Sequence, residues 1–575
     1  MNFNRNISAF LIITLVLITN ILFNLFDLNF DLTKDKRYTI SKKSISLIEE
    51  LDDRLFIKVY LEGDLPAEFK KLQIAIESIL KNFRSLSNDD IDFEFINPNK
   101  NNNEKLKIDL FKQLVKQGLI PTDLDMSKFD RKINQIIFPG AILYYKDKYL
   151  AINFLKQKKG VSTFSNINNS IENLEFSFIS TIQQLKKNKL KKIAFLDGNG
   201  ELSEEQVYDI NNSVTKDNFK LSYYYDVDRF NIKEFSIDST TMEPNLQEKM
   251  NMLNLYKAII IAKPTIPFNN LDKFLIDQYI MKGGRVLWLI DGVKADINSL
   301  NNDTGSFIAR KNKLNISDQL RSYGVIINSD LIQDLRSTKI PIITGYSNNS
   351  PQQSFFKWQY FPLLKSTNQH TITKGLDALI TKFPSSLDTI NNKIEKTILL
   401  HSSKKSRINN TPAKISLGII ENPPEIDSYN KQFLPISILL EGKFKSIFKD
   451  KLIKKSDQID FLEQSKANKM IIVSDGDIIC NDVSSSGNIY PLGYDRNIQL
   501  TYDGNKLFII NAIQYLCDDI SYSDLKQKKL IFNTLDKVKI KKNKLLIQLI
   551  NIILPIILIL IFAFCFFKNK NRKYA

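Results

Sequence analysis

The chain has 575 residues, of which 43% are hydrophobic and 25% charged, and a formal net charge of +17. These proportions exclude a disordered polypeptide, and the length suits roughly two to four domains with their own cores. The basic residues are not gathered with aromatics on one stretch, which excludes a nucleic-acid reader. They describe a lysine-rich solvated surface, with attraction to anionic membrane lipid as the alternative; the densest runs are Lys186–Lys192 and Lys526–Lys544.

Only two histidines, His370 and His401, and three cysteines, Cys480, Cys517 and Cys565, are present, and no CxxC spacing occurs. No metal centre, cofactor or histidine-based triad is therefore expected. Pairing of Cys480 with Cys517 is left open.

The first element is Ile7–Phe26, an uncharged apolar run of the length a helix needs to span a bilayer. No small-residue cleavage site comes after it, so it reads as an uncleaved anchor occupying residues 1–30. A matching apolar run, Leu545–Phe567, lies in residues 536–575 and ends in a basic tail from Lys568 to Lys573. Gln548 and Asn551 within it are candidates for hydrogen bonds to another membrane helix. Two spans put both termini on one side and the bulk of the chain on the other. The flanking charges mildly favour a cytoplasmic bulk.

Residues 31–190 alternate between strand and helix. Ser41 is positioned to cap a helix over Lys42–Leu51. Next come a strand Leu55–Glu62, a helix Pro66–Ser85, a strand Ile91–Ile96, a helix Glu104–Gln117, a hairpin of Ile136–Leu143 with Tyr149–Phe154, and a helix Glu172–Lys186. This order, βαβαββα, is that of a thioredoxin-like domain, with Pro139 where that fold often keeps a cis-proline. The redox cysteines are missing, because the corresponding turn reads Gly63-Asp64-Leu65-Pro66.

Residues 191–535 form a second α/β domain of Rossmann or glutamine-amidotransferase-like type. Its predicted strands are Ile193–Asp197, Leu221–Val227, Ala258–Ala262, Val286–Ile290 and Met470–Ile479; helices are predicted from Ser203, over Leu271–Met281 and over Lys506–Leu516. An irregular β-rich insertion is expected over about 340–430. Asp197, Asp291, Asp475 and Asp477 each lie just after an apolar strand, and the carboxyl ends of parallel strands share the edge where α/β folds bind ligands. Four carboxylates there would bind a cation or polar ligand, or supply an acid/base pair. The competing reading is that each Asp-Gly simply makes a turn and caps the next helix. Asn199 and Glu201, in Asp197-Gly198-Asn199-Gly200-Glu201, complete the candidate ligand-binding set, the glycines freeing backbone amides for an anion. No GxxxxGK[ST] and no GxSxG motif occurs, and Cys480 lacks a glycine elbow. The chain is thus expected not to be an enzyme, with any ATPase on a separate subunit.

Several stretches resemble the gliding-motility-associated ABC transporter substrate-binding (GldG) family of the Bacteroidetes. They are Asp31–Ser41 (DLTKDKRYTIS), Val59–Phe69 (VYLEGDLPAEF), Asp197–Glu201 (DGNGE), Gly283–Asp291 (GGRVLWLID), Val473–Asn481 (VSDGDIICN), Pro491–Asn511 and Leu516–Asp518. The resemblance implies an accessory subunit partnered by an ABC permease and a separate ATPase, in the inner membrane, with periplasmic domains and cytoplasmic termini. It also implies a part in gliding motility and surface protein export. In related proteins the turn commonly reads Gly-His-Gly-Glu, whereas Asn199 stands here. The alternatives are a membrane-tethered hydrolase or sugar-binding protein using the strand-end carboxylates, or a pure scaffold.

Overall fold

The computed structural model describes residues 40–517 apart from 88–89, 102, 129–130, 156–162, 187–189, 212–224, 237–244, 348–349, 366–369, 450–459, 485 and 497–498. Residues 14, 549, 551–557, 559–563 and 567 are described as well. The chain divides into two compact units, Met1–Arg37 with Lys528–Ala575, and Tyr38–Gln527. Of the first predicted span only Thr14 is described; of the second, Asn551 is helical and exposed while Gln548 lies outside the described residues. Among the described residues no helix is long and apolar enough to cross a membrane.

The larger unit opens with a helix over Lys42–Glu49, and Ser41 Oγ accepts from Ser44 N at 3.2 Å as its cap. Strands β1 (Leu55–Val59), β2 (Ile91–Phe95), β5 (Gly140–Tyr145) and β6 (Lys148–Asn153) form a sheet in the order β2-β1-β5-β6. The β1–β2 pair is parallel, joined by the Ala67–Leu86 helix, and the β1–β5 and β5–β6 pairs are antiparallel. Two expectations change here. A separate hairpin, β3 (Thr122–Lys128) with β4 (Arg131–Ile137), precedes the predicted one. Its sequence is too polar to stand out as strand, and it takes up Ile136 and Ile137. The Phe138–Pro139 bond is also not cis; the cis bond among the described residues is Thr411–Pro412. The predicted closing helix is found over Leu174–Lys186, and a further helix, Thr163–Glu172, comes just before it.

The second sheet has seven strands. β7 (Lys191–Asp197), β8 (Tyr225–Asn231), β9 (Ala258–Ala262) and β10 (Arg285–Leu289) are joined, much later in the chain, by β11 (Glu395–His401), β12 (Pro435–Lys445) and β13 (Gln464–Val473). The spatial order is β11-β12-β13-β10-β9-β7-β8. From β13 to β8 every pair is parallel, while β12 runs antiparallel to both of its neighbours.

Strands covered on both faces must be apolar along their whole length. In β9 all five residues are buried. On one face Phe195, Ile260, Leu287 and Ile471 join a core that continues into the small sheet and the Gly504–Leu516 helix. On the other, Ile259, Trp288 and Ile472 pack with Phe274 and Tyr279 of the Asn270–Met281 helix. That helix starts with a capping box between Asn269 and Asp272, and Gly283 at φ +98° lies just past its end.

Between β10 and β12 much of the chain outside β11 is strand, and this region starts well before residue 340. Val293–Lys294, Ser306–Lys311 and Ala413–Ser416 make one small sheet; Ser337–Ser347 and Ser350–Leu364 form a long hairpin in another. Trp358, Tyr360, Phe361 and Phe383 fill its core. Cys480 and Cys517 are not paired with one another.

Candidate functional site at the strand ends

The carboxyl ends of β9, β10 and β13 converge as a parallel sheet requires, and they carry Lys263, Asp291 and Asp475 with Asp477. Asp291, Asp475 and Asp477 each place a carboxylate oxygen within 4.8 Å of the others. Lys263, in the left-handed region at φ +52°, points its ammonium between two of them, 2.6 Å from Asp477 Oδ1 and 3.6 Å from Asp291 Oδ2.

Three of the other four carboxylate oxygens accept from backbone donors. Gly476 N donates to Asp291 Oδ1 at 2.6 Å, Asp477 N to Asp475 Oδ1 at 2.8 Å, and Lys382 N to Asp475 Oδ2 at 2.9 Å. Through its bond from Asp477 N, Asp475 caps the turn Gly476–Ile479. The strand predicted over Met470–Ile479 therefore stops at Val473. The Lys382 ammonium reaches Asp482 Oδ1 at 2.5 Å.

Burial sets the electrostatics. It pushes Asp291 up to about 6, with the Lys263 charge opposing and Asp477 adding to the rise. Asp475, with no exposed surface, is held well above the ordinary carboxylate value by burial, and then by Asp477 and Asp291. Burial works against the Lys263 charge too, yet Asp477 and Asp291 outweigh it and hold its pKa above the usual lysine value. Burial drives the Cys480 thiol up to about 12, with Asp477 adding, so it is no activated nucleophile. Three carboxylates at this spacing form a donor set for a hard cation. Here the Lys263 ammonium already supplies the positive charge.

Asp197 is not part of this group, although the sequence offers it as a fourth carboxylate. It ends β7, which β9 separates from β10, placing it roughly 10 Å away at ordinary strand spacing. It pairs instead with Arg229 of β8, whose Nε donates to Asp197 Oδ2 at 2.8 Å while Nη2 donates to Oδ1 and, at 2.7 Å, to the Leu202 carbonyl. The neighbouring turn folds over the end of β9: Leu202 N donates to the Ala262 carbonyl, and Thr265 N and Ile266 N donate to that of Asn199.

Gly198 at φ +118° and Gly200 at φ +70° give this turn a shape that other residues rarely adopt. Asn199 N donates to Glu201 Oε2 at 2.7 Å. Burial pushes Glu201 up to about 7; Asp197 adds to this, and the Asn199 N–H and Arg229 oppose it. Asn199 is fully buried, and among the described residues neither its Oδ1 nor its Nδ2 finds a hydrogen-bond partner; Glu201 Oε1 and Arg229 Nη1 are likewise buried and without one there. The sequence-predicted set thus splits in two. Asp291, Asp475 and Asp477 form one group, Asp197, Asn199 and Glu201 the other.

Sequence reasoning misses Lys263, Lys382 and Arg229. The available signal is their place: Lys263 comes directly after an all-apolar strand, and Arg229 lies on the strand next to β7. A separate cavity of ≈ 430 Å³ lies at the opposite, amino-terminal edge of the sheet, beside Tyr256, Tyr279 and Gly283.

A mixed α/β protein whose main sheet is largely parallel, with its polar groups gathered at the strand ends, is the class these features define. The chain belongs to the ABC-type uncharacterized transport system family, whose model matches residues 190–512, the span that holds both groups. Residues 34–144 match a domain of unknown function. An uncharacterized protein of Borreliella burgdorferi is similar along the whole length, 23% identical over 586 residues and covering 99% of this chain and 98% of that one. Among solved structures the mmIFT52 N-terminal domain aligns over 56% of this chain and 96% of its own, at 12% identity and a TM-score of 0.30. A likeness that low carries no argument.

Proposed function

We propose that the chain is a non-enzymatic, membrane-anchored accessory subunit of an ABC-type transport system, working with a permease and an ATPase carried on other chains. The family match over the whole seven-stranded sheet carries this reading. The absence of a phosphate-binding GxxxxGK[ST] motif from the full sequence supports a separate ATPase. The unactivated Cys480 thiol and the internally paired carboxylates favour a binding or scaffolding role over hydrolysis.

Anchoring rests on the apolar runs at both ends of the sequence. Along the second run Leu549, Ile552, Leu554, Ile559 and Phe562 all expose more than half of their surface, which suits a lipid-facing helix. The strand order β2-β1-β5-β6 supports a thioredoxin-like first domain. An inner-membrane location with periplasmic domains, and a part in gliding motility and surface protein export, rest on the resemblance of the quoted stretches.

The test is affinity purification of the tagged chain from native membranes in mild detergent. Recovery of a permease and its ATPase in fixed proportion is expected. Recovery of the chain alone, where other membrane complexes stay intact, would reject the accessory role. Replacing Gln548 and Asn551 by Leu is expected to weaken the complex, and undiminished recovery would remove them from its contacts.

A further inference from the structure

We propose that the cavity at the amino-terminal edge of the seven-stranded sheet is a site for the phosphate group of an anionic lipid. The inference rests on the anchored reading above and adds a ligand to it.

The cavity, ≈ 430 Å³, lies where two helices end beside β9 and β10. Leu246–Leu253 and Asn270–Met281 both finish there, at Asn254 and Lys282. The volume is within the range of small-molecule sites. It is open at Gly283, where an added Cβ would meet no atom within 4 Å.

Charge selects the ligand. Lys257 and Lys282 line the cavity, and no acidic residue does. A lysine beside a helix end commonly bonds the last carbonyls. Here other groups hold them. The Met250, Met252 and Leu253 carbonyls accept from the backbone N–H groups of Asn254, Leu255 and Tyr256. Those of Tyr279 and Ile280 accept from Gly284 and Gly283, and Asn468 Nδ2 adds a bond to Ile280 at 3.0 Å. Lys257 makes no ion pair among the described residues, and Lys282 reaches only Asp460, 4.0 Å away on a side chain that is 85% exposed. Asp228, nearby, accepts from Tyr256 Oη at 3.1 Å and lies 3.6 Å from the Lys192 ammonium. Each helix end carries about half a negative charge, so two ammoniums leave about one positive charge unmatched. A phosphodiester supplies one negative charge and takes lysine as a point-charge partner.

The surroundings make that phosphate part of a lipid. Leu255, which lines the cavity, and Met252, in the last turn of its helix, are 66% and 48% exposed and offer apolar contact beside the charge. Arg285, next in the chain after Gly284, donates to the Leu516 carbonyl, and Lys191 Nζ donates to that of Cys517 at 2.6 Å. At this edge, therefore, the chain departs for the basic run Lys526–Lys544 and the apolar run Leu545–Phe567. Basic pockets and segments next to a membrane-entering run attract anionic headgroups.

The experiment places the full-length chain in nanodiscs of phosphatidylcholine or of phosphatidylglycerol and follows hydrogen exchange in residues 252–257 and 281–285. The combined variant Lys257→Gln/Lys282→Gln runs beside it, as do phosphatidylcholine discs with added glycerol 3-phosphate. Protection confined to phosphatidylglycerol and lost in the variant is expected, as a slowing of about tenfold from two lysines at a charged lipid surface. Equal exchange in the two lipids, or protection retained in the variant, overturns the site. So does equal protection by glycerol 3-phosphate, which would make the ligand a free phosphate. A chain that enters neither disc rejects the anchored reading and the site with it. One that enters both without lipid-dependent protection rejects the site alone.

Discussion

Gly476 donates its backbone N–H to Asp291 Oδ1 at 2.6 Å, tying the loop that leaves β13 to the loop that leaves β10. The close approach requires a residue without a Cβ. A Cβ on Gly476 would lie 2.6 Å from both Cβ and Cγ of Lys263. Gly476→Ala is therefore expected to lower stability by about 1–3 kcal/mol through overpacking. Urea unfolding of the purified variant measures this. An unchanged midpoint would mean that Lys263 moves aside without cost.

The Lys263 ammonium compensates the two mostly buried carboxylates Asp291 and Asp477, whose side chains are only 13% and 14% exposed. Removing it with Lys263→Met leaves uncompensated buried charge, at a cost of about 3 kcal/mol or more. Adding Asp477→Asn to that variant should restore part of the loss, and a double-mutant cycle on melting or urea midpoints reads the coupling.

Without the ammonium, three carboxylates remain in a form suited to a hard divalent ion. Lys263→Ala is expected to gain saturable thermal stabilisation from Ca²⁺ while the natural protein gains none. Equal responses in the two proteins would place the ion elsewhere.

The pH dependence has a defined sign. Glu201 and Asp291 have folded values near 7 and 6, above their ordinary values of 4.5 and 3.8. The native state thus retains protons that the unfolded chain has released, and stability falls as pH rises between the unfolded and folded values. For Glu201 the span corresponds to about 3 kcal/mol. Glu201→Gln should match the natural protein near about pH 4 and exceed it in stability by up to that amount near about pH 8. A constant difference across this range would show that Glu201 ionises normally.

A second buried acid tests the core. Asp277 accepts from Tyr323 Oη at 2.8 Å, Ser446 Oγ at 2.6 Å, Gln278 Nε2 at 3.1 Å and Ile447 N at 3.3 Å, and burial raises its pKa. In Asp277→Asn one acceptor becomes an NH₂ facing donors, and a loss of about 2–3 kcal/mol is expected. Tyr323→Phe removes one donor and should cost less. Melting midpoints of the two variants, measured side by side, check the order.

The buried parallel strands are the most legible part of the sequence. Ala258–Ala262 coincides with its predicted bounds because a strand covered on both faces has no polar positions to blur its ends. The opposite holds at the sheet edge. Strand β8 runs Tyr225–Asn231, beyond the predicted Val227, because an edge strand can carry Asp226, Asp228 and Arg229. Helix ends with a side-chain cap, such as the start at Ser41, are equally readable.

The candidate site is half legible. That Asp291, Asp475 and Asp477 come after strands is written in the sequence; that β13 lies beside β10, and β9 between β10 and β7, is not. Strand order therefore decides that Asp475 joins Asp291 and that Asp197 does not. The role of Lys263 depends on a left-handed backbone and a neighbour far along the chain, and neither leaves a mark on local composition.

Val286 of β10 pairs with Met470 of β13, 184 positions further on (470 − 286). A ribosome therefore delivers the middle of the sheet in two instalments. After β9 and β10 have formed, an apolar strand edge waits while the whole β-rich stretch and two further strands are made. Such an edge is a template for pairing with the wrong chain, and distant pairings are slow to close. Truncation anywhere between residues 290 and 463 removes β13 and leaves that edge uncovered. Such fragments should aggregate rather than behave as shorter working copies, so this protein is divisible by sequence match but not by folding.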